Sequence, residues 1–200
     1  MTPDKLDAYK QKRDFNKTSE PLDGPSSFRG TNGEPVFVIQ KHDATNLHYD
    51  FRIEVDGILK SWAVPKGPST DPSVKRLAIP TEDHPLGYAD FEGVIPETEY
   101  GGGTIMIWDR GTYRNLKEDK EDQPAPSIAQ QVDDGHLTIW LNGQKLRGGY
   151  AFIRTRGGDD PNWLMIKMDD DEADARRNPT STENKSAKTG RTMAQIRSQG

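Results

Sequence analysis

The chain of 200 residues contains no cysteine. That excludes a disulfide framework, a thiolate metal site and a cysteine nucleophile. No apolar run approaches the roughly 18 residues of a membrane span, and the opening MTPDKLDAYKQKRDF lacks the apolar stretch of a secretion signal. A cytoplasmic protein with no membrane partner is the expectation. Positive charge is also scarce. Lys and Arg number 27 against 32 Asp and Glu, a net charge of −5. This argues against a sequence-blind nucleic-acid coat and leaves room for a local basic pocket that holds one phosphate. Apolar residues make up 32%, and four Trp, six Tyr and six Phe supply a core. One domain with loose ends is expected.

Residues 2–12 read as a short polar helix anchored by Leu6 and Tyr9, and residues 16–33 as loop. Strand signals begin at PVFVIQKH. LHYDFRIEVDGILKSWAVP reads as a hairpin turning at Asp56-Gly57. KRLAIPTEDHP is a further strand, with Pro80 marking an edge or a bulge. A second turn is expected at Asp109-Arg110-Gly111, a helix over SIAQQVDD closed by Gly135, another hairpin over Asn142-Gly143, and a last strand at NWLMIKM. The crossover helices of a parallel sheet are missing, so the expected fold is mainly β, a compact antiparallel barrel of about eight strands with a few short helices. The expected divisions are a helix and arm over residues 1–33, the barrel over 34–168, and a polar, mobile tail over 169–200.

The segment QKHDATNLHYDFRIE concentrates unusual chemistry in a strand. Alternation puts His48, Asp50, Arg52 and Glu54 on one face, with Tyr49, Phe51, Ile53 and Val55 on the other. His42 precedes His48 across a short loop and reaches the same place if the two segments pair. Two imidazoles and a carboxylate form a common ligand set for a divalent transition metal. The plain alternative is a solvated strand face with ordinary surface charges. Against it stands the scarcity of histidine, four in all, of which His42, His48 and His84 lie among polar neighbours. Arg52, two residues past the carboxylate, pairs with it or awaits an anion. Lys66 sits on a Pro-Gly loop, Arg76, Glu82 and His84 share parity on one strand, and Tyr88 follows on a turn. Cations gathered beside a metal set point to phosphoryl chemistry.

The blocks KHDATNLHYDFRIE, SWAVPKGPS, TEDHPLGYADFEGVIPETEYGGG and TIMIWDRGTY closely resemble the phosphoesterase domain of bacterial DNA ligase D, a family that also has stand-alone members. The likeness runs from about Arg13 to Met168, with an echo in TGRTMAQI. It implies a β-barrel carrying its site in a crescent on the outer surface. The implied activity is metal-dependent, with manganese preferred and cobalt or zinc as substitutes. It trims 3′ ends of DNA or RNA, removing a terminal ribonucleoside and then the 3′-phosphate to leave a 3′-hydroxyl for end joining. The implied metal ligands are His42, His48 and Asp50. Arg52 and His84 would contact the scissile phosphate with Tyr88 close by, while Lys66 and Arg76, supported by Glu82, would form the pocket for a terminal phosphomonoester. The arm pattern stands at Arg13-Asp14-Phe15 and Glu20-Pro21.

The partners implied are nucleic acid with a recessed or nicked 3′ end, and polymerase and ligase modules or an end-binding protein of the joining machinery. The setting implied is the nucleoid of a bacterium or archaeon, the chain being a stand-alone enzyme or an N-terminal module. His84 is the expected proton donor to the leaving oxygen, since an ordinary imidazole titrates near about 6.5, with water or a ribose 2′-hydroxyl attacking directly. Arg13 and Lys17 are expected to help bind the strand. Two rival classes carry the same residues: a non-haem iron oxygenase using a two-histidine, one-carboxylate triad, and a non-catalytic barrel that binds DNA ends.

Overall fold

The computed structural model describes residues 5–117, 124–156 and 161–199. Alternation of apolar and polar residues, punctuated by tight turns, produces nine strands among the described residues: β1 (Val36–Asp43), β2 (Leu47–Val55), β3 (Ile58–Val64), β4 (Lys75–Pro85), β5 (Gly93–Ile95), β6 (Gly103–Asn115), β7 (His136–Gly143), β8 (Arg147–Arg154) and β9 (Trp163–Lys167). The hydrogen-bonded order is β1-β2-β3-β4-β9-β8-β7-β6-β5, and β1 also pairs with β6. That last pairing closes eight antiparallel strands into a barrel and leaves β5 on the flank of β6. Closure removes the free edges that an open sheet of this length would expose.

The β2–β3 turn shows how local sequence sets the register. Asp56 (φ 50°) and Gly57 (φ 81°) both occupy the left-handed region, as a two-residue hairpin of the primed type requires. Inward residues then alternate along the strands. Phe37 and Ile39 of β1, Phe51 and Ile53 of β2, and Trp62 of β3 fill one side of the interior. Trp108 of β6, Leu137, Ile139 and Leu141 of β7, Tyr150 and Phe152 of β8, and Trp163 of β9 fill the other. Each such side chain taken from water contributes roughly 1.5–3 kcal/mol.

A second apolar cluster lies on the barrel's outer surface. Val36, Val38, Leu59, Ile105 and Ile107 point outward and are covered by Tyr9, Leu86, Tyr88 and Phe91. The cover comes from the N-terminal helix α1 (Asp7–Gln11), the arm after it, and a short 3-10 helix over Leu86–Asp90. Residues 2–4 of the helix expected over 2–12 lie outside the described residues. Asp90 pins the arm by accepting hydrogen bonds from the Ser26 hydroxyl and the Ser27 and Phe28 amides. The helix α2 (Ile128–Asp134) forms where expected, with a capping box at Ser127 and Gln130 and a left-handed Gly135 at its end.

Three expectations are corrected. Asp109-Arg110-Gly111 is no turn, because β6 runs through it. Gly111 is needed there for close approach, since a Cβ would lie 2.1 Å from the Asn142 carbonyl oxygen of β7. The β7–β8 hairpin turns at Gln144-Lys145 rather than over Asn142-Gly143, with the Gly143 amide bonded to the Leu146 carbonyl. The segment after Met168 is not a loose tail. It runs along the barrel through α3 (Pro179–Thr182) to α4 (Met193–Arg197), whose Ile196 is buried. The Trp108 indole donates to the Glu183 carbonyl, the Ala187 amide to the Ile107 carbonyl, and Ser186, Thr189 and Arg191 all donate to the buried Glu92 carboxylate. Most of these bonds are made by backbone or small polar groups, which composition does not reveal.

Candidate active site

The β1–β2 hairpin builds the centre of the site. Its register sets His42 opposite His48, Gln40 opposite Asp50 and Val38 opposite Arg52. All of these face outward, because Phe37, Ile39, Phe51 and Ile53 take the inward positions. The His42 and His48 rings lie 4.7 Å apart. Asp50 lies between them, 3.6 Å from His42 Nδ1 and 3.7 Å from His48 Nε2. Donor atoms of the three side chains fall within 4.8 Å of one another. The Nδ1 of His48 lies 2.9 Å from the Asn46 carbonyl, which turns Nε2 toward Asp50. The Nε2 of His42 is buried and has no hydrogen-bond partner among the described residues. An unpaired buried nitrogen beside a second imidazole and a carboxylate fits a divalent transition metal.

Burial opposes the charge on Asp50, but Arg52 and the two imidazoles more than offset it and hold the carboxyl well below the usual range. Arg52 itself is fully engaged. Its guanidinium bonds to Gln40 at 2.7 Å and Ser61 at 2.9 Å, and lies 3.2 Å from Asp50 and 3.0 Å from His84 Nδ1. Gln40 in turn donates to the Tyr88 and Phe91 carbonyls, which ties this network to the covering helix.

The arm supplies the opposite wall. Arg13 bonds to Glu20 at 2.8 Å and Glu82 at 3.1 Å, and lies 3.3 Å from His84 Nε2. Glu20 also accepts from the Tyr88 hydroxyl at 2.9 Å. His84 is thus placed between two guanidiniums. Burial, then Arg52 and Arg13, depress its pKa well below the ordinary value and favour the uncharged imidazole. Its Nδ1 lies 2.8 Å from the Glu82 carbonyl and donates there. Burial pushes the Tyr88 hydroxyl well above its ordinary pKa. Together these groups line a cleft of about 300 Å³ that also includes Ala44, Ala63, Thr81, Ile95 and Tyr100.

Residues 40–154 match the family described as the DNA Ligase D 3′-phosphoesterase domain. The chain belongs to this family. It is similar to the multifunctional non-homologous end joining protein LigD of Pseudomonas aeruginosa, 48% identical over 84% of this chain and 19% of the relative. It is 46% identical over 82% of its length to the multifunctional non-homologous end joining DNA repair protein LigD of Mycobacterium tuberculosis strain H37Rv, covering 20% of that protein. Against the LigD of Mycolicibacterium smegmatis it is 43% identical over 84% of its length, covering 21%. The chain therefore spans about a fifth of the length of these relatives.

The cleft gathers His42, His48, Asp50, Arg52, Glu82, His84, Tyr88 and Arg13, with Glu20 behind them. Three expected residues fall elsewhere. Lys66 is exposed on the turn after β3. Arg76 lies in a separate cleft of about 200 Å³ beside Arg176 and Arg177. Asp14 accepts from Asn16 and pairs with Lys17, closing a turn of the arm. The shared parity of Arg76 and His84 misleads because β4 carries a bulge. Leu59 pairs with His84 and Ser61 with Thr81, so Glu82 and Asp83 together oppose the single residue Lys60. His84 and Thr81 consequently face outward, while Arg76 pairs with Met165 and turns inward with it.

Gln40, Ser61, Thr81, Tyr9 and Tyr100 join the site without being marked out by the sequence as site residues. Gln40 and Ser61 carry one usable signal, since each sits at an outward-facing position on a strand adjoining Arg52.

Proposed function

We propose that this domain is a divalent-metal-dependent phosphoesterase that heals 3′ ends of nucleic acid. It would remove a terminal ribonucleoside and then the 3′-phosphate, leaving a 3′-hydroxyl for non-homologous end joining. The observation that carries this reading is the meeting of His42, His48 and Asp50 with Arg13, Arg52 and His84 in one cleft. Phosphate oxygens on one side of such a cleft meet a metal set and on the other meet cations. Membership of the ligase D phosphoesterase family supports it.

His42, His48 and Asp50 would hold the ion, manganese by preference, with cobalt or zinc as substitutes. A bound divalent ion polarises a phosphate oxygen and offsets charge that develops during displacement. Arg52 keeps Asp50 ionised and, with Arg13, presents positive charge to the anion. Glu20 and Glu82 orient Arg13, and Tyr88 fixes Glu20. His84 does not enter the reaction as a ready acid, because two guanidiniums and burial hold it neutral. An arriving phosphate offsets those guanidiniums and raises the proton affinity of the imidazole, so His84 gains its proton as the substrate binds. Water or a ribose 2′-hydroxyl attacks directly.

In this reading the substrate is a recessed or nicked 3′ end, and the partners are polymerase and ligase modules or an end-binding protein in the bacterial or archaeal cytoplasm. Among the described residues no helix is long and apolar enough to cross a membrane. The test uses primers ending in a 3′-phosphate or a 3′-ribonucleoside. Conversion of both to 3′-hydroxyl ends with manganese is expected. Oxygen uptake with ferrous iron and no phosphate release would favour an oxygenase instead. His84→Ala should abolish turnover while manganese affinity stays within about twofold, since His84 is not a ligand.

A further inference from the structure

Tyr100 stands out in the cleft because it is 50% exposed, whereas Tyr9, His84 and Tyr88 are buried. It lines the same cleft as the metal set and Arg13. Its hydroxyl accepts from Lys12 at 3.2 Å, and the Lys12 ammonium lies 4.9 Å from its ring centre, with the Arg13 guanidinium at 5.4 Å. Lys12 also bonds to Glu82, and Glu82 to Arg13, so the ring is tied to the wall that faces the metal set.

The segment carrying the ring is built to stay in place. The Glu99 amide bonds to the Pro96 carbonyl and the Gly102 amide to the Glu99 carbonyl, giving two successive turns. Glu99 lies 3.6 Å from Lys17 of the arm. A Cβ on Gly103 would come within 2.4 Å of the Asp43 carbonyl oxygen, which shows how closely this segment is pressed onto the end of β1. A large, half-open aromatic ring on a braced loop costs little ordering when a planar partner docks.

We propose that Tyr100 is the stacking platform for the terminal nucleobase, which makes it the residue that favours nucleoside-ended strands over phosphate-ended ones. Among the parts of a nucleic-acid end, only the base offers a planar face, and base–aromatic stacking tolerates every base. The other rings of the wall, Tyr88 and His84, are buried, and Ala44, Ala63 and Ile95 offer none. The assignment rests on reading the cleft as a 3′-end phosphoesterase site.

Two readouts keep the two readings apart. Binding of oligonucleotides ending in a ribonucleoside or in a 3′-phosphate is measured without manganese, and turnover of both is measured with it. Tyr100→Leu should weaken binding of the ribonucleoside end by about tenfold and raise its KM similarly. The matching values for the phosphate end should change much less, so that the ratio between the two ends shifts by about tenfold. Tyr100→Phe, which keeps the ring and loses the hydroxyl, should restore that ratio. Equal losses on both ends, or no loss on either, overturn the proposal. Binding that discriminates as expected, without manganese-dependent turnover by the unaltered protein, supports the platform and overturns the phosphoesterase reading.

Discussion

Two buried aspartates, Asp50 on β2 and Asp109 on β6, show that removal from water does not by itself make a reactive centre. Asp50 is surrounded by Arg52, His42 and His48, and these hold its charge in place despite burial. Asp109 is held by backbone amides. One oxygen accepts from Arg110, Gln144 and Lys145, and the other from Leu146. Burial outweighs these donors and pushes its pKa up to about 6. Asp50 therefore stays ionised within a group that could hold a metal ion, and Asp109 supports the turn of the neighbouring hairpin. The partners of a carboxylate decide its work.

The largest expected effect separates the two. Asp50→Asn should lower manganese affinity by at least about a hundredfold and abolish processing of both 3′ ends even in protein that is fully folded. Isothermal titration and end-processing assays on the same preparation check this. Asp109→Ala should do the reverse. It strands three amides of the Gln144–Leu146 turn and should cost about 3 kcal/mol of stability, measured by denaturant unfolding, while the folded fraction keeps its activity.

A pH series sharpens the contrast. The folded pKa of Asp109 lies above the ordinary value, so its contribution is present while it is protonated and is lost as pH rises through about 6. The stability of Asp109→Asn relative to the unaltered protein should therefore improve between about pH 4 and pH 7, by up to about 3 kcal/mol. Asp50 has the opposite sign, since its depressed pKa gives stability that is present above the ordinary carboxylate range and lost as pH falls through its folded value. The smallest expected effect concerns a third carboxylate. Glu92→Gln should cost about 1 kcal/mol and speed hydrogen exchange at the Ala187 amide, because Glu92 holds the C-terminal segment that places that amide on Ile107.

Strand β2 is legible in the sequence because nothing interrupts its two-residue period, so both its aromatic inner row and its polar outer row follow from the order of residues. Its pairing with β1 follows from the short loop between His42 and His48. Strand β4 is not legible to the same degree. Its bulge leaves no local mark beyond Pro80, and one unpaired residue reverses the inference for Arg76. The Asp-Arg-Gly of β6 has the chemistry of a turn, yet its glycine serves a close strand contact and its aspartate serves a turn 35 residues away. The docking of the C-terminal segment is hidden in the sequence because it is made largely by backbone and small polar groups, by Glu92, a single distant acid, and by one buried isoleucine.

The extra residue in β4 behaves as a phase shifter. It lets Thr81 and His84, three residues apart, face the same side, and it sets two acids against one β3 position: Asp83 pairs with Lys60, and Glu82 is released to Arg13. Deleting one of the two acids would restore strict alternation with Thr81 and His84 still outward, so the barrel could close as before, yet a single carboxylate would stand where two now divide between Lys60 and Arg13. A single-codon loss at this point would thus cost Arg13 one of its two carboxylate partners while sparing both the architecture and the facing of His84, and homologous chains can be sorted by whether they keep that one-residue offset.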